Sequence, residues 1–194
     1  MSKKESWLFD HGFLAKADGL QSTGKEVGRI QDYRRAVAVD STTDWGSPDK
    51  PGRLPTLIAK EGVLCEGIAY RVSEAAIQAL HSKLEESERS STELKRLNFE
   101  CRDTGAGPQS VYALVALDES SFFRQEEPIG ELVDAILEAR GSKGSNLEVI
   151  LEWIDTMHEF EIDDDASYEL ANQLLDPHDL LDDIDASKLK GRRR

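Results

Sequence analysis

The chain has 194 residues, 39% hydrophobic and 32% charged, with a formal net charge of −14. That is enough chain for one well-packed core and too little for two full domains. No apolar run reaches the roughly 18 residues of a membrane-spanning helix. The opening MSKKESWLFDHGF also lacks the long apolar stretch and small-residue cleavage site of a secretory signal. The expectation is a cytoplasmic protein with no membrane role.

Residues 6–14 form a short apolar run with Trp7, Phe9 and Phe13 and read as a first strand. Residues 30–39, with Tyr33, Val37 and Val39, predict a longer one. Gly46, Pro48, Pro51 and Gly52 then make residues 40–53 a loop. Residues 54–59 and 63–72 are strand-like and flank Glu61-Gly62, a hairpin signal. From Ser73 a helix is expected. Beyond it Leu97, Phe99 and Cys101 alternate with polar residues, and glycine-rich residues 104–108 turn the chain into a strand over 111–117. Six strands with one intervening helix imply an α+β fold: a small mixed or antiparallel β-barrel flanked by α-helices. Cys65 and Cys101 lie in strands and read as buried free thiols.

The remainder is helical. Ile129, Leu132, Val133, Ile136 and Leu137 follow the helical repeat, Pro128 suits the first helical position, and Gly141 marks the stop. Ser145 and Glu148 form a capping box for a helix burying Leu147, Ile150, Leu151 and Ile154. Asp176-Pro177 opens a last short helix with Leu180, Leu181 and Ile184. The expected division is a domain over residues 1–160 and an acidic helical extension over 161–194, packed on the same domain and ending in a basic tail.

Between residues 155 and 187 there are twelve Asp or Glu and no Lys or Arg. Such a surface repels phosphate backbones and argues against nucleic acid as a partner. It offers a face to a basic protein partner, although helix caps and solvated faces account for most of it. Asp163-Asp164-Asp165 lacks the spacing of a calcium loop, and His11, His81, His158 and His178 have no metal-ligand spacing. Neither metal nor cofactor is expected.

One acid stands out. Ile77, Leu80, Leu84 and Glu88 recur at spacings that put all four on one helical face. A carboxylate at the apolar edge of a last helical turn is partly desolvated and faces the negative end of the helix dipole. Both effects raise its pKa toward the range useful for proton transfer. Periodicity alone leaves the alternative of a helix that frays at Ser87, with Glu88 in water.

Several local signatures, in order, resemble the ChaC-like γ-glutamylcyclotransferase family. Trp7-Leu-Phe-Asp-His-Gly-Phe-Leu14 sits where that family opens with an aromatic strand and a Tyr-Gly-Ser-Leu loop. Gly28-Arg-Ile-Gln-Asp-Tyr-Arg-Arg35 is similar to its Gly-Tyr-Arg-Arg strand, and Gly46-Ser-Pro-Asp-Lys-Pro-Gly52 to its Gly-Thr-Pro-x-x-Pro-Gly loop. Cys65-Glu-Gly-Ile-Ala-Tyr-Arg-Val72 resembles its Cys-x-Gly-x-Ala-Tyr-Arg-Val strand. Leu84-Glu-Glu-Ser-Glu88 falls at its Leu-Asp-x-Arg-Glu segment, and Gly141, Gly144, Asn146 and Glu148 at its late Gly-x-x-Gly-x-Asn-x-Glu element.

The resemblance implies a lyase that converts a γ-glutamyl peptide or amine, glutathione being the family's usual substrate, to 5-oxoproline and the released amine. It implies that Glu88 is the catalytic acid/base. Gly12, Phe13 and Leu14 would supply a backbone anion cradle, with His11 and Tyr33 also on the substrate. Departures are visible: His11 and Phe13 replace the loop's tyrosine and serine, Trp45 and Ser87 stand where arginine is usual, and Val149 replaces a tyrosine. They motivate an alternative, a catalytically inactive relative that binds a partner through a modified pocket or its acidic C-terminal helices.

Overall fold

The computed structural model describes residues 5–13, 21–86, 91–103 and 107–175, with side chains of the first helix described through residue 82. Glu88, Leu14 and the expected helix after Asp176 lie outside the described residues.

Five strands close a barrel in the order β1-β3-β2-β4-β5. They are β1 (Glu5–Asp10), β2 (Gly24–Ser41), β3 (Gly52–Ser73), β4 (Thr92–Cys101) and β5 (Ser110–Ala116). Pairing is antiparallel except where β5 closes the barrel. There it runs parallel to β1 at Leu8↔Tyr112 and Phe9↔Ala113, then to β3 at Leu57↔Val115. The closed, mixed sheet accords with the expected architecture, with one strand fewer than six in the barrel.

That strand is lost at Glu61-Gly62, which is not a hairpin turn. β3 runs straight through it, pairing with β2 from Gly52 to Arg71. The turn chemistry instead makes a large bulge: the register shifts between Gln31 and Tyr33, where Gly62 (φ 75°) and Asp32 (φ 65°) are both left-handed. The Gly62 N–H donates to Asp32 Oδ1 at 2.8 Å. A glycine turn signal within a strand pattern fits a bulge as well as a hairpin, and only the partner strand decides.

Alternation along each strand fills the barrel. Phe9, Ile30, Leu57, Cys65, Phe99 and Val115 point inward, and the Phe9 and Phe99 rings meet edge to face at 6.1 Å. Gly28 and Gly67, which face each other across β2 and β3, leave room for those rings. A Cβ on either would lie 2.4 Å from a phenyl carbon. Leu97 and Cys101 are only half-buried beside this cluster, and both cysteines are free thiols.

Outside the barrel lie α1 (Glu74–Glu86), α2 (Ile129–Glu138), α3 (Asn146–Glu159) and α4 (Asp165–Leu174), with a small hairpin of β6 (Arg140–Gly141) and β7 (Gly144–Ser145). The Ala76 N–H donates to Ser73 Oγ, which caps α1. The expected capping box of α3 is present, with the Ser145 N–H on Glu148 Oε2. Pro128 is the N-cap of α2 rather than its first turn, and α2 ends at Glu138, before Gly141. Leu8, Ile68, Tyr70 and Val72 on the barrel's outer face pack with Ile77 of α1 and with Ile136, Ile150, Trp153, Met157, Ile162, Leu170 and Leu174. Leu151 is only half-buried, and Trp153 and Met157 take the larger share of the α3 contact. The acidic helix α4 thus shares the core of the preceding residues. Each such side chain removed from water contributes roughly 1.5–3 kcal/mol.

Candidate functional site: a glycine turn at one end of the barrel

Where β1 ends, Asp10 folds the chain back on itself. It is fully buried, and its Oδ1 accepts hydrogen bonds from the Gly12 N–H at 2.8 Å and the Phe13 N–H at 2.7 Å. Gly12 has φ 105°, and a Cβ there would meet Met157 Cγ and Trp153 at 3.1–3.3 Å, so both torsion and space call for glycine. The preceding carbonyl is also fixed. His11 O accepts from Arg35 Nε at 3.0 Å and from Trp153 Nε1 at 3.1 Å. The His11–Gly12 peptide is therefore gripped from both sides, by β2 and α3 on its oxygen and by Asp10 on its N–H.

Arg35 is the hub of this grip. Its side chain is 4% exposed; it also donates to Glu66 O on β3 and faces Asp164 Oδ2 at 3.4 Å, at the start of α4. The His11 ring stacks on Phe13 with centroids 6.4 Å apart, and its Nδ1 is buried without a hydrogen-bond partner. Burial, reinforced by the Arg35 charge, lowers the His11 pKa to about 3, so the ring is neutral across the physiological range.

Trp153 separates two hollows. A cavity of about 140 Å³ lies on the Gly12 and Phe13 side, walled by Trp45, Lys143, Val149 and Glu152. Beyond the indole, a cleft of about 630 Å³ opens between β2, residues 123–127 and the helices α2 to α4. The wall of that cleft is pinned by a charged network: Arg53 donates to Asp40 Oδ1 at 2.8 Å and, with two nitrogens, to Glu127 at 3.0 Å. Arg124 takes the other Asp40 oxygen at 2.7 Å. The Asn146 side chain completes it by pairing both ways with the Arg53 backbone, at 2.7 and 2.9 Å.

His11, Gly12 and Phe13 are thus together in one turn, but the two described N–H groups of the expected anion cradle are held by Asp10. Tyr33 is not beside them; it packs against the interior barrel cluster, while its neighbours Arg34 and Arg35 line the large cleft. Trp45 and Val149, noted in sequence as departures, both wall the small cavity. The sequence reading passed over Asp10, Arg35 and Trp153. Asp-x-Gly is a recognisable side-chain turn signal and pointed to the first. Arg35 stood only as the last residue of the Gly-Tyr-Arg-Arg likeness and nothing local marks Trp153; their roles rest on contacts 24 and 142 residues away.

The protein is thus a five-stranded barrel, closed by a parallel β1–β5 pairing, with a glycine turn where β1 ends. Residues 6–176 match the family described as ChaC-like protein, and the chain belongs to that family. Among curated proteins it is 27% identical to gamma-glutamylcyclotransferase 2-3 of Arabidopsis thaliana over 176 residues, 87% of each chain. It is 23% identical to glutathione-specific gamma-glutamylcyclotransferase 1 of Danio rerio over 177 residues, 89% of this chain and 90% of that one. Of the solved structures, a glutathione-specific γ-glutamyl cyclotransferase from yeast superposes with a TM-score of 0.72 at 17% identity, over 88% of this chain and 98% of the other. That likeness establishes the fold.

Proposed function

We propose that the chain is a γ-glutamylcyclotransferase: it converts a γ-glutamyl peptide or amine, with glutathione first among the candidates, to 5-oxoproline and the released amine. The substrate's α-amine attacks its own γ-carbonyl. A new C–N bond closes the five-membered ring, the original amide C–N bond breaks, and the proton lost by the attacking nitrogen reaches the departing one. The reaction needs proximity and a single proton carrier. Glu88 is that carrier in this reading. His11, Gly12, Phe13 and Leu14 contact the glutamyl moiety, and the unpartnered His11 Nδ1 is the kind of buried group a ligand satisfies.

The observation that carries the proposal is topological. α1 ends at Glu86, and β4 begins at Thr92, which pairs with Ala116 at the C-terminal end of β5. Because β5 runs parallel to β1, that is the end of the barrel at which β1 gives way to the glycine turn. Glu88 lies in sequence between Glu86 and Thr92. The test is 5-oxoproline release from a panel of γ-glutamyl compounds including glutathione. Release by the native chain and none by Glu88→Gln supports the assignment, whereas equal release by both removes Glu88 from it.

One observation favours a second reading, a family member that binds without turning over. The Asp10 carboxylate occupies the amide groups that a substrate carboxylate would otherwise use. Silence across the whole panel, with saturable binding of a γ-glutamyl compound, selects this reading.

A further inference from the structure

The cleft on the far side of Trp153 has a volume suited to a small molecule, about 630 Å³. Its buried lining includes Trp153 and Leu170, with Val37, Ile58 and Leu132 half-buried beside them. Three guanidinium groups, of Arg34, Arg35 and Arg124, and four carboxyl groups, of Glu126, Glu127, Asp164 and Glu169, line it as well. The four acids oppose a phosphate or other dianion, and the three guanidinium groups oppose a metal ion or polyamine. A ligand carrying one charge of each sign suits both sets.

Two of these groups are available to a ligand. Arg34 pairs with Glu126 Oε1 at 2.5 Å, but the Glu126 side chain is 75% exposed while that of Arg34 is 24% exposed. An ion pair with so solvated a partner holds by about 0–1 kcal/mol, so a carboxylate arriving inside the cleft can take the guanidinium. Glu169 is exposed and has no ion-pair partner among the described residues. Arg35, Glu127 and Asp164, by contrast, are engaged in the turn and in the network around Arg53. The cleft therefore offers one displaceable cation and one unpaired anion around an apolar floor.

We infer that this cleft binds a small zwitterion, an amino acid or dipeptide, whose carboxylate pairs with Arg34 and whose ammonium pairs with Glu169. The inference deepens the cyclotransferase reading without depending on it, since such a molecule is either the amine released from a γ-glutamyl peptide or a separate effector. Arg35 lines the cleft and also holds the His11 carbonyl, so an occupant touches the residue that grips the glycine turn.

The test titrates the full chain with alanylglycine, followed by the Trp153 indole N–H in NMR and by calorimetry. N-acetylalanylglycine, which lacks the ammonium, and alanylglycinamide, which lacks the carboxylate, are the controls. Saturable binding of alanylglycine is expected, weaker by about tenfold in each control and in Arg34→Gln and Glu169→Gln, the effect of losing one charge-assisted contact. Neither side chain is in the buried core, and their unfolding midpoints should match the native chain. No saturable binding, equal binding of all three peptides, or unchanged binding in both variants overturns the site. Where 5-oxoproline release is measurable, competitive inhibition by alanylglycine identifies the released amine as the source, and inhibition of maximal rate alone identifies a separate effector. If nothing is released from any γ-glutamyl compound, the cyclotransferase reading fails while the titration still decides the cleft.

Discussion

Trp153 has a closed side and an open side, and they are built on opposite rules. On the closed side the turn's backbone is satisfied: Asp10 takes two N–H groups, Arg35 and Trp153 take the His11 carbonyl, and a cavity of about 140 Å³ remains. On the open side about 630 Å³ is lined by charges, two of which have weak partners or none among the described residues. The first arrangement fixes a backbone to within hydrogen-bond geometry and resists change. The second holds its shape through the Arg53–Asp40–Arg124–Glu127 network and leaves its rim to a ligand. A rigid backbone and displaceable charges have been placed on different sides of one indole.

If chemistry belongs to the turn end, removing its proton carrier should hurt most. Glu88→Gln should lower 5-oxoproline release by about 10²–10⁴ and leave alanylglycine binding in the cleft untouched. Loss of both together would mean that the two sides are one site. Next in size, Asp10→Ala should cost about 3 kcal/mol in urea unfolding, because two N–H groups in a buried turn lose their acceptor. Added formate or acetate should restore part of that loss by occupying the vacated position, and Asp10→Asn, which keeps an acceptor, should cost less. Unfolding of Asp10→Ala indistinguishable from the native chain would show that the turn is wetter than its burial implies. Gly12→Ala should follow at about 2 kcal/mol, since a side chain at φ 105° is strained and meets Trp153 and Met157. A fully stable Gly12→Ala would mean that the turn relaxes.

What was legible in the sequence divides along similar lines. Alternation in Leu97-Phe99-Cys101, the Ser145–Glu148 capping box and the glycine loop at residue 12 are local codes, and they specified strand, helix start and turn. The Glu61-Gly62 signal was read correctly as turn chemistry but wrongly as a chain reversal, because a bulge and a hairpin use the same residues and differ only in what lies opposite. Helix α4 carries a short stripe of Ser167, Leu170 and Leu174 amid acids, too weak a period to stand out. Within the candidate site, His11, Gly12 and Phe13 were found because they are contiguous. Arg35, Trp153 and the Asp40–Arg53–Asn146 cluster come from separate elements and meet only when the barrel closes. Charge counting gave only part of the acidic segment: Asp164 is a helix cap, as expected for such residues, and it also faces the buried Arg35 that holds the turn.

The smallest effect tests dryness directly. His11 is neutral when folded, its pKa lowered to about 3 first by burial and then by Arg35, whereas the unfolded chain's histidine titrates near 6.5. A depressed folded value means that the unfolded state binds more protons between those two pH values. The corresponding stability is fully present above pH 6.5 and is lost as pH falls from there toward 3. From this residue alone, stability at pH 5.5 should be about 1 kcal/mol below that at pH 7. The native chain's carboxylates add their own acid slope, so the readout is a difference. His11→Phe, which keeps a ring against Phe13 and removes an unpartnered buried nitrogen, should be less sensitive than the native chain over that interval. A His11 imidazole signal that titrates near pH 6.5 in the folded protein would place water at the turn. The closed side of Trp153 would then be hydrated in the resting protein, and a ligand there would have to displace that water.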